Sequence, residues 1–66
     1  MTTLDEAAAA YRAAKEALDA ARPVLAEAIV TAARAGVRQS EIVRVSGYTR
    51  EQVRRICRAA GVEPGE

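Results

Sequence analysis

A seven-residue repeat of apolar positions runs through the first part of the chain. Leucine or tyrosine recurs at every seventh residue, and an alanine follows three positions after each of the first three. The repeat consists of Leu4, Tyr11, Leu18 and Leu25 with Ala7, Ala14 and Ala21. These a and d positions of a heptad share one face of an α-helix, so the pattern predicts a long helix with a narrow apolar stripe. Thr3 and Glu6 match the capping box that begins a helix.

Pro23 and Gly36 mark the next segment. Because proline favours the first turn of a helix, the sequence predicts a new helix, or a kinked continuation, from residue 23 to residue 35. Its apolar spacing predicts burial of Leu25, Ala28, Ile29 and Ala32. Gly36 suits the positive φ of a helix end, and Val37 supplies the apolar contact that often follows.

Two short helices joined by a turn are predicted for the remaining chain. The first covers residues 39–45, with Ile42, Val43 and Val45 as its apolar positions. Residues 46–48 form the turn, in which Gly47 takes positive φ without a Cβ clash.

The second short helix begins at another capping box, Thr49 with Gln52. Tyr48 and Val53 flank this start in the positions of a hydrophobic staple. The apolar side chains of the helix are Val53, Ile56, Cys57 and Ala60, and Gly61 ends it.

The composition of the chain limits the stability of its core and so bears on what packs against the apolar stripe. The chain has 66 residues, two tyrosines, and no Phe or Trp, and a core of this size seldom supplies more than about 3–5 kcal/mol. Cys57 is the only cysteine and there is no histidine, so an internal disulfide is excluded and a zinc site is disfavoured. We interpret Cys57 as a small buried apolar residue rather than a redox or metal residue. The stripe packs either on the second half of the chain or on a second copy, and we favour the second copy because the second half already forms a unit.

The net charge of +1 conceals two unlike halves. Residues 1–33 carry three basic and five acidic side chains, whereas residues 34–66 carry seven arginines and four glutamates. Arginine presents a planar fork of donors that suits phosphate and guanine. The second half therefore favours a nucleic-acid partner.

Helix, glycine-containing turn and helix form the pattern of a helix-turn-helix, here residues 39–58. Ile42, Tyr48, Val53 and Ile56 occupy its packing positions, and Val43 departs from the small residue usual there. The sequence thus predicts an all-α fold. A long N-terminal dimerisation helix (1–22) precedes a helix-turn-helix DNA-binding domain (23–61) and a tail (62–66).

The polar residues of the motif divide into two predicted sets. Base contacts in the major groove are predicted for Thr49, Arg50 and Arg54, because the start of the second motif helix enters that groove. Phosphate contacts are predicted for Arg38, Gln39, Ser40, Arg55 and Arg58, with the backbone amides of Gln39 and Ser40 as donors. Gln52 could reach adenine, but we favour its capping role. The alternative is a solvated basic face without a partner.

A resemblance to a known family covers nearly the whole chain. It rests on the alanine-rich heptad helix and on two later stretches, Ser40-Glu41-Ile42-Val43-Arg44 and Gly47-Tyr48-Thr49-Arg50-Glu51-Gln52-Val53-Arg54-Arg55-Ile56. The chain resembles small actinobacterial nucleoid-associated-like proteins that bind GATC sites. The resemblance implies a homodimer joined through N-terminal helices, DNA bending, and recognition of a short GATC palindrome through Thr49, Arg50 and their neighbours.

Other functions stay open at this point. If the protein binds DNA, the alternative to a chromosome organiser is a local repressor of plasmid or phage type. If it does not, the alternative is a sigma-factor-like adaptor that binds another protein. We expect no enzyme activity, cofactor, metal or small-molecule ligand, since no His, nucleophile–base pair or phosphate-binding glycine loop is present. No apolar run approaches a membrane span, and the acidic N-terminus differs from a signal peptide. We therefore expect a cytoplasmic, nucleoid-located protein.

Overall fold

Three α-helices make up the fold in the computed structural model, which describes residues 2–63. They are α1 (Leu4–Arg34), α2 (Gln39–Ser46) and α3 (Arg50–Ala59). No β-strand occurs in this range. The order of one long helix and two short ones confirms the predicted all-α class.

The helix α1 is continuous through Pro23, so the boundary predicted between residues 22 and 23 falls inside one helix. Proline lacks the N–H that would bond to the carbonyl of Asp19, one turn earlier. Both residues are exposed, so water can satisfy that carbonyl. The predicted capping box is present at the start of α1, where the Glu6 amide donates to Thr3 Oγ1 at 3.2 Å and the Thr3 amide donates to Glu6 Oε1 at 3.3 Å.

The helix ends follow the predicted glycine positions. Gly36 has φ of 88° and Gly47 has φ of 77°, both in the left-handed region that favours glycine. After Gly36, the Val37 amide donates to the Ala32 carbonyl at 3.0 Å, which closes the end of α1 and turns the chain towards α2.

A small core joins the three helices. Its buried members are Ile29, Ala33, Ile42, Val53 and Cys57, and Val53 and Cys57 are fully enclosed. Leu25, Ala32, Val43, Tyr48 and Ile56 pack against it as partly buried neighbours.

Three of the apolar positions predicted for the helices are exposed: Ala28, Val45 and Ala60, the last of which is the C-cap of α3. Ala28 lies on the surface, and Ala33 is buried in its place. The reason is that α1 turns the face of Ile29 and Ala33, four residues apart, towards α2 and α3. Val45 is 70% exposed because α2 presents Ile42, three residues earlier, to the core.

The first part of α1 is largely exposed: residues 4–17 all lie on the surface except for the partly buried Ala8. We call residues 4–21 the arm and residues 22–63 the head. The molecule measures 48 × 19 × 16 Å, and its longest dimension matches about 46 Å for a 31-residue helix. Leu4 is 84% and Tyr11 70% exposed. The packing of the stripe on the second half is therefore limited to its last members, since Leu25 is partly buried against the core.

The last described residues belong to the head. Val62, predicted as the start of a tail, packs against the core, and its amide donates to the Cys57 carbonyl at 2.8 Å. The rest of the predicted tail after Glu63 lies outside the described residues.

A search of the helices between residues 2 and 63 finds none with the length and apolar character needed to span a bilayer.

Replacing Ile42 by alanine should unfold much of the head. Ile42 is 4% exposed, and truncation of a buried isoleucine costs about 2–5 kcal/mol, which is comparable to the whole stability of a core this small. The matched control is Val45→Ala on the same helix, which should change the free energy of unfolding little. Urea denaturation followed by circular dichroism measures both, and equal losses in the two variants would contradict the described core.

Candidate nucleic-acid interface

A tight turn fixes α2 and α3 relative to each other. The Gly47 amide donates to the Val43 carbonyl at 3.0 Å and closes α2, while Ser46 Oγ accepts from the Tyr48 amide at 3.1 Å. Tyr48 packs against the core, and Thr49 follows as the N-cap of α3. Helix, glycine turn and helix thus follow one another with the connectivity of a helix-turn-helix.

Gln39 connects the beginnings of α2 and α3. Its side chain is 8% exposed, the one buried polar residue in the described part of the chain. Gln39 Nε2 donates to the Arg50 carbonyl at 3.3 Å, and Arg50 Nη1 approaches Gln39 Oε1 at 3.5 Å. These contacts bring the N-termini of both helices together and hold the Arg50 side chain at their junction.

The pairing of Gln39 with Arg50 was missed by sequence reasoning. The phosphate contact predicted for Gln39 uses its backbone amide, whereas its side chain turns inward in the structure. The two residues are 11 positions apart across a turn, and no local periodicity connects them.

Three arginines project from the outer face of α3. Val53 and Cys57 face inward, which leaves Arg54, Arg55 and Arg58 exposed on the other side. Both carboxylate oxygens of Glu51 are engaged there, one with Arg54 Nη1 and one with Arg55 Nη2, each at 3.8 Å. Within residues 2–63, Arg58 has no ion-pair partner.

Glu51 was not given a role in the sequence analysis, although its spacing of three and four residues from Arg54 and Arg55 is the signal for such pairs. All three side chains are more than half exposed. Ion pairs of this kind contribute little to stability, so the guanidinium groups can exchange Glu51 for another anion at small cost.

Thr49 and Gln52 form the predicted second capping box. The Gln52 amide donates to Thr49 Oγ1 at 3.1 Å, and the Thr49 amide donates to Gln52 Oε1 at 2.8 Å. The capping role of Gln52 is confirmed. A bidentate contact to adenine needs both the oxygen and the nitrogen of the amide, and the oxygen is used here. The Thr49 hydroxyl keeps its own proton as a donor.

Arg38, Gln39 and Ser40 lie at the start of α2. Arg38 is the N-cap and its side chain makes no capping hydrogen bond. The amides of Glu41 and Ile42 donate to the Arg38 carbonyl at 3.0 and 3.1 Å. The amides of Gln39 and Ser40 belong to the first turn of α2, where a helix provides no acceptor for its amides. They are therefore suited to bind an anion.

Three groups in the head, Glu41, Arg44 and Cys57, have shifted pKa values, and the hydrogen bond to Glu41 raises the pKa of Arg44. A hydrogen bond from Arg44 lowers the pKa of Glu41, and the nearby positive charge of Arg44 adds to the effect. Burial raises the pKa of the Cys57 thiol, because the thiolate would lose its hydration.

The structure brings part of the set predicted to contact DNA together. Thr49 and Arg50 adjoin the start of α2 through Gln39, and Arg54 follows one helical turn after Arg50. The stripe residues of the predicted dimer interface lie along α1, and Leu18 among them shares a cleft with Arg55.

No protein family, curated protein or solved structure matches this chain. Within residues 2–63, no three His, Cys, Asp or Glu side chains are grouped so as to hold a metal ion.

Removing the Gln39 side chain should loosen the junction between α2 and α3. Gln39→Ala loses the bond to the Arg50 carbonyl, so the free energy of unfolding should fall by about 1 kcal/mol, the usual contribution of one hydrogen bond. The control variant is Ser40→Ala at the exposed neighbouring residue, whose free energy of unfolding should stay close to that of the wild type. Chemical denaturation compares the three proteins, and a Gln39→Ala protein as stable as the control would show that the contact contributes nothing.

Proposed function

We propose that this protein binds double-stranded DNA sequence-specifically as a homodimer, with α3 in the major groove. The observation that supports this most strongly is the outer face of α3, where Arg54, Arg55 and Arg58 are exposed on a scaffold with helix-turn-helix connectivity. A helix fits the major groove of B-DNA, and arginine is the residue that most often reads guanine there.

Roles in this complex follow from position. Thr49, Arg50 and Arg54 contact bases, because they occupy the start of α3 and its next turn. Arg55 and Arg58 contact phosphates, as do Arg38 and the backbone amides of Gln39 and Ser40. On binding, Arg54 and Arg55 exchange the weak, exposed pairing with Glu51 for contacts with DNA.

The arm provides the proposed dimer interface. A folded monomer of 7.0 kDa exposes about 4,000 Å², whereas this chain exposes 5183 Å². The excess of about 1,100 Å² resembles the roughly 800 Å² that each partner buries in a standard interface. Pairing of two arms would cover the exposed side chains of the stripe, among them Leu4 and Tyr11.

A two-fold dimer carries two copies of α3, so its natural target is a palindrome. By its resemblance, the protein reads a GATC-type site, bends DNA and acts as a nucleoid-associated regulator. Selection from random duplexes would identify the site, and genome-wide occupancy would separate a chromosome organiser from a local repressor by the number of sites.

Arginine replacements should separate base contacts from phosphate contacts. Arg50→Ala and Arg54→Ala should each reduce the preference for the selected site over a scrambled duplex by about 1–3 kcal/mol, as expected for loss of a bidentate guanine contact. Arg58→Ala should weaken binding to both duplexes alike and make the salt dependence shallower. Fluorescence anisotropy over a salt series measures both effects.

The control for this series is Arg12→Ala, an exposed arginine on the arm. Equal losses on both duplexes for Arg50→Ala, Arg54→Ala and Arg58→Ala would refute the assigned roles. If the wild-type protein does not bind the duplexes, or if its affinity does not change with salt, DNA binding is refuted. A protein-binding adaptor is then favoured.

A charged residue within the stripe should separate the two copies. Ala14→Glu places a carboxylate in the seam, while Ala13→Glu places the same side chain on the other side of the arm; both alanines are exposed. Glutamate keeps a high helix propensity, so the helix itself should persist. Sedimentation equilibrium should show monomers for Ala14→Glu and dimers for Ala13→Glu, and a dimer in both would rule out the stripe as the interface.

A further inference from the structure

An open cleft lies between the end of the arm and α3. Its volume is about 490 Å³, and Leu18 of the arm, Tyr48 and Ile56 provide apolar walls. Arg22 and Arg55 also line it. Each of these arginines lies 3.8 Å from a carboxylate oxygen of its own helix, Asp19 for Arg22 and Glu51 for Arg55. The cleft thus combines apolar walls with two exposed positive side chains.

The head sits on the same face of α1 as the heptad stripe. Leu18 lines the cleft with α3, and Leu25 lines a second groove with Ile42 and Val45 of α2. The chain's own short helices therefore adjoin the stripe from Leu18 onwards. In a parallel pair, both heads would stand on the inner face at the same end and compete for one space. In an antiparallel pair, they stand at opposite ends.

Side-chain volumes along the stripe favour the same orientation. In a parallel pair, a positions meet a and d positions meet d, so layers of two large side chains alternate with layers of two alanines. In an antiparallel pair, every layer combines one large and one small side chain, which keeps the two helices evenly spaced. The matching layers are Leu4 with Ala21, Tyr11 with Ala14 and Leu18 with Ala7.

The same register brings the arm tip to the cleft. Leu4 of one copy lies opposite Ala21 of the other, beside the cleft that Leu18, Tyr48 and Ile56 line with apolar side chains. Asp5 and Glu6 occupy the b and c positions of the heptad, which face away from the seam. The tip therefore offers the apolar side chain of Leu4 to the apolar walls of the cleft.

We propose that the two arms pair antiparallel and that the tip of each arm docks through Leu4 at the cleft of the other copy. This inference rests on the dimer of the proposed function and adds its orientation and register. It also places the contact between copies next to α3, because Arg55 belongs both to the cleft and to the DNA-binding face. The stripe residues Leu4 and Ala21 thereby meet across the interface.

Cysteine cross-linking tests the orientation. Leu4→Cys combined with Ala21→Cys in one chain should give a disulfide-linked dimer, of twice the chain mass, in a glutathione redox buffer. The two positions cannot join within one chain, since they are about 26 Å apart along the helix and a disulfide needs Cα atoms within about 7 Å. Leu4→Cys alone should give no linked dimer, because the antiparallel pair separates the two tips by a similar distance.

Matched controls isolate the register. Leu4→Cys with Ala20→Cys moves the second thiol off the stripe by one residue and should not cross-link. The wild-type chain shows whether the buried Cys57 contributes. All replaced side chains are exposed, and circular dichroism verifies that the helices are retained.

Light scattering distinguishes failure of the inference from failure of the dimer. A dimer that cross-links through Leu4→Cys alone would be parallel and would overturn the inference, while the proposed dimer would stand. A dimer that cross-links neither through Leu4→Cys alone nor through Leu4→Cys with Ala21→Cys would overturn the register. Monomers throughout would overturn both.

Discussion

Both short helices fold on one short stretch of α1, around Ile29 and Ala33. Because α2 and α3 both pack on α1 as well as on each other, their positions depend on how they contact those two side chains. The core has five buried apolar residues, none of them aromatic, so packing alone leaves the angle between α2 and α3 weakly specified. Polar contacts supply what is missing: Gln39 holds the start of α3, and Ser46 and Thr49 define the turn. The direction in which α3 presents its arginines thus depends on a few hydrogen bonds as well as on apolar burial.

Glu51 has a particular place in this arrangement. Four arginines within nine residues repel one another along α3, and like charges one turn apart destabilise a helix. Glu51 lies close enough to Arg54 and Arg55 to offset part of this repulsion in the free protein. Since the pairs are exposed and long, they hold the side chains only loosely. The same carboxylate therefore supports the helix while its arginines stay exposed.

The helix starts, the glycine turns and the all-α class could be predicted from the sequence, because capping boxes and positive-φ glycines act through neighbouring residues. The inner and outer faces of α3 could be predicted as well, since Val53 and Cys57 follow helical spacing. Other features depend on contacts between distant residues. The bond between Gln39 and Arg50 crosses 11 positions, and the burial of Ala33 in place of Ala28 depends on where α2 and α3 settle. The continuity of α1 at Pro23 could not be decided because proline both starts and interrupts helices.

The continuity of α1 also bears on the distance between the two heads of the proposed dimer. In the proposed dimer, a flexible joint at Pro23 would let the two copies place their α3 helices at many separations, whereas one helix from Leu4 to Arg34 holds each head at a fixed distance from the paired arms. Under the proposed pairing, the distance between the two DNA-reading surfaces is set by the number of residues in the arm. One heptad corresponds to about 10 Å of helix, which is close to three base pairs of DNA at about 3.4 Å each. A change in arm length by whole heptads would keep the stripe in register and alter the half-site spacing that the protein selects.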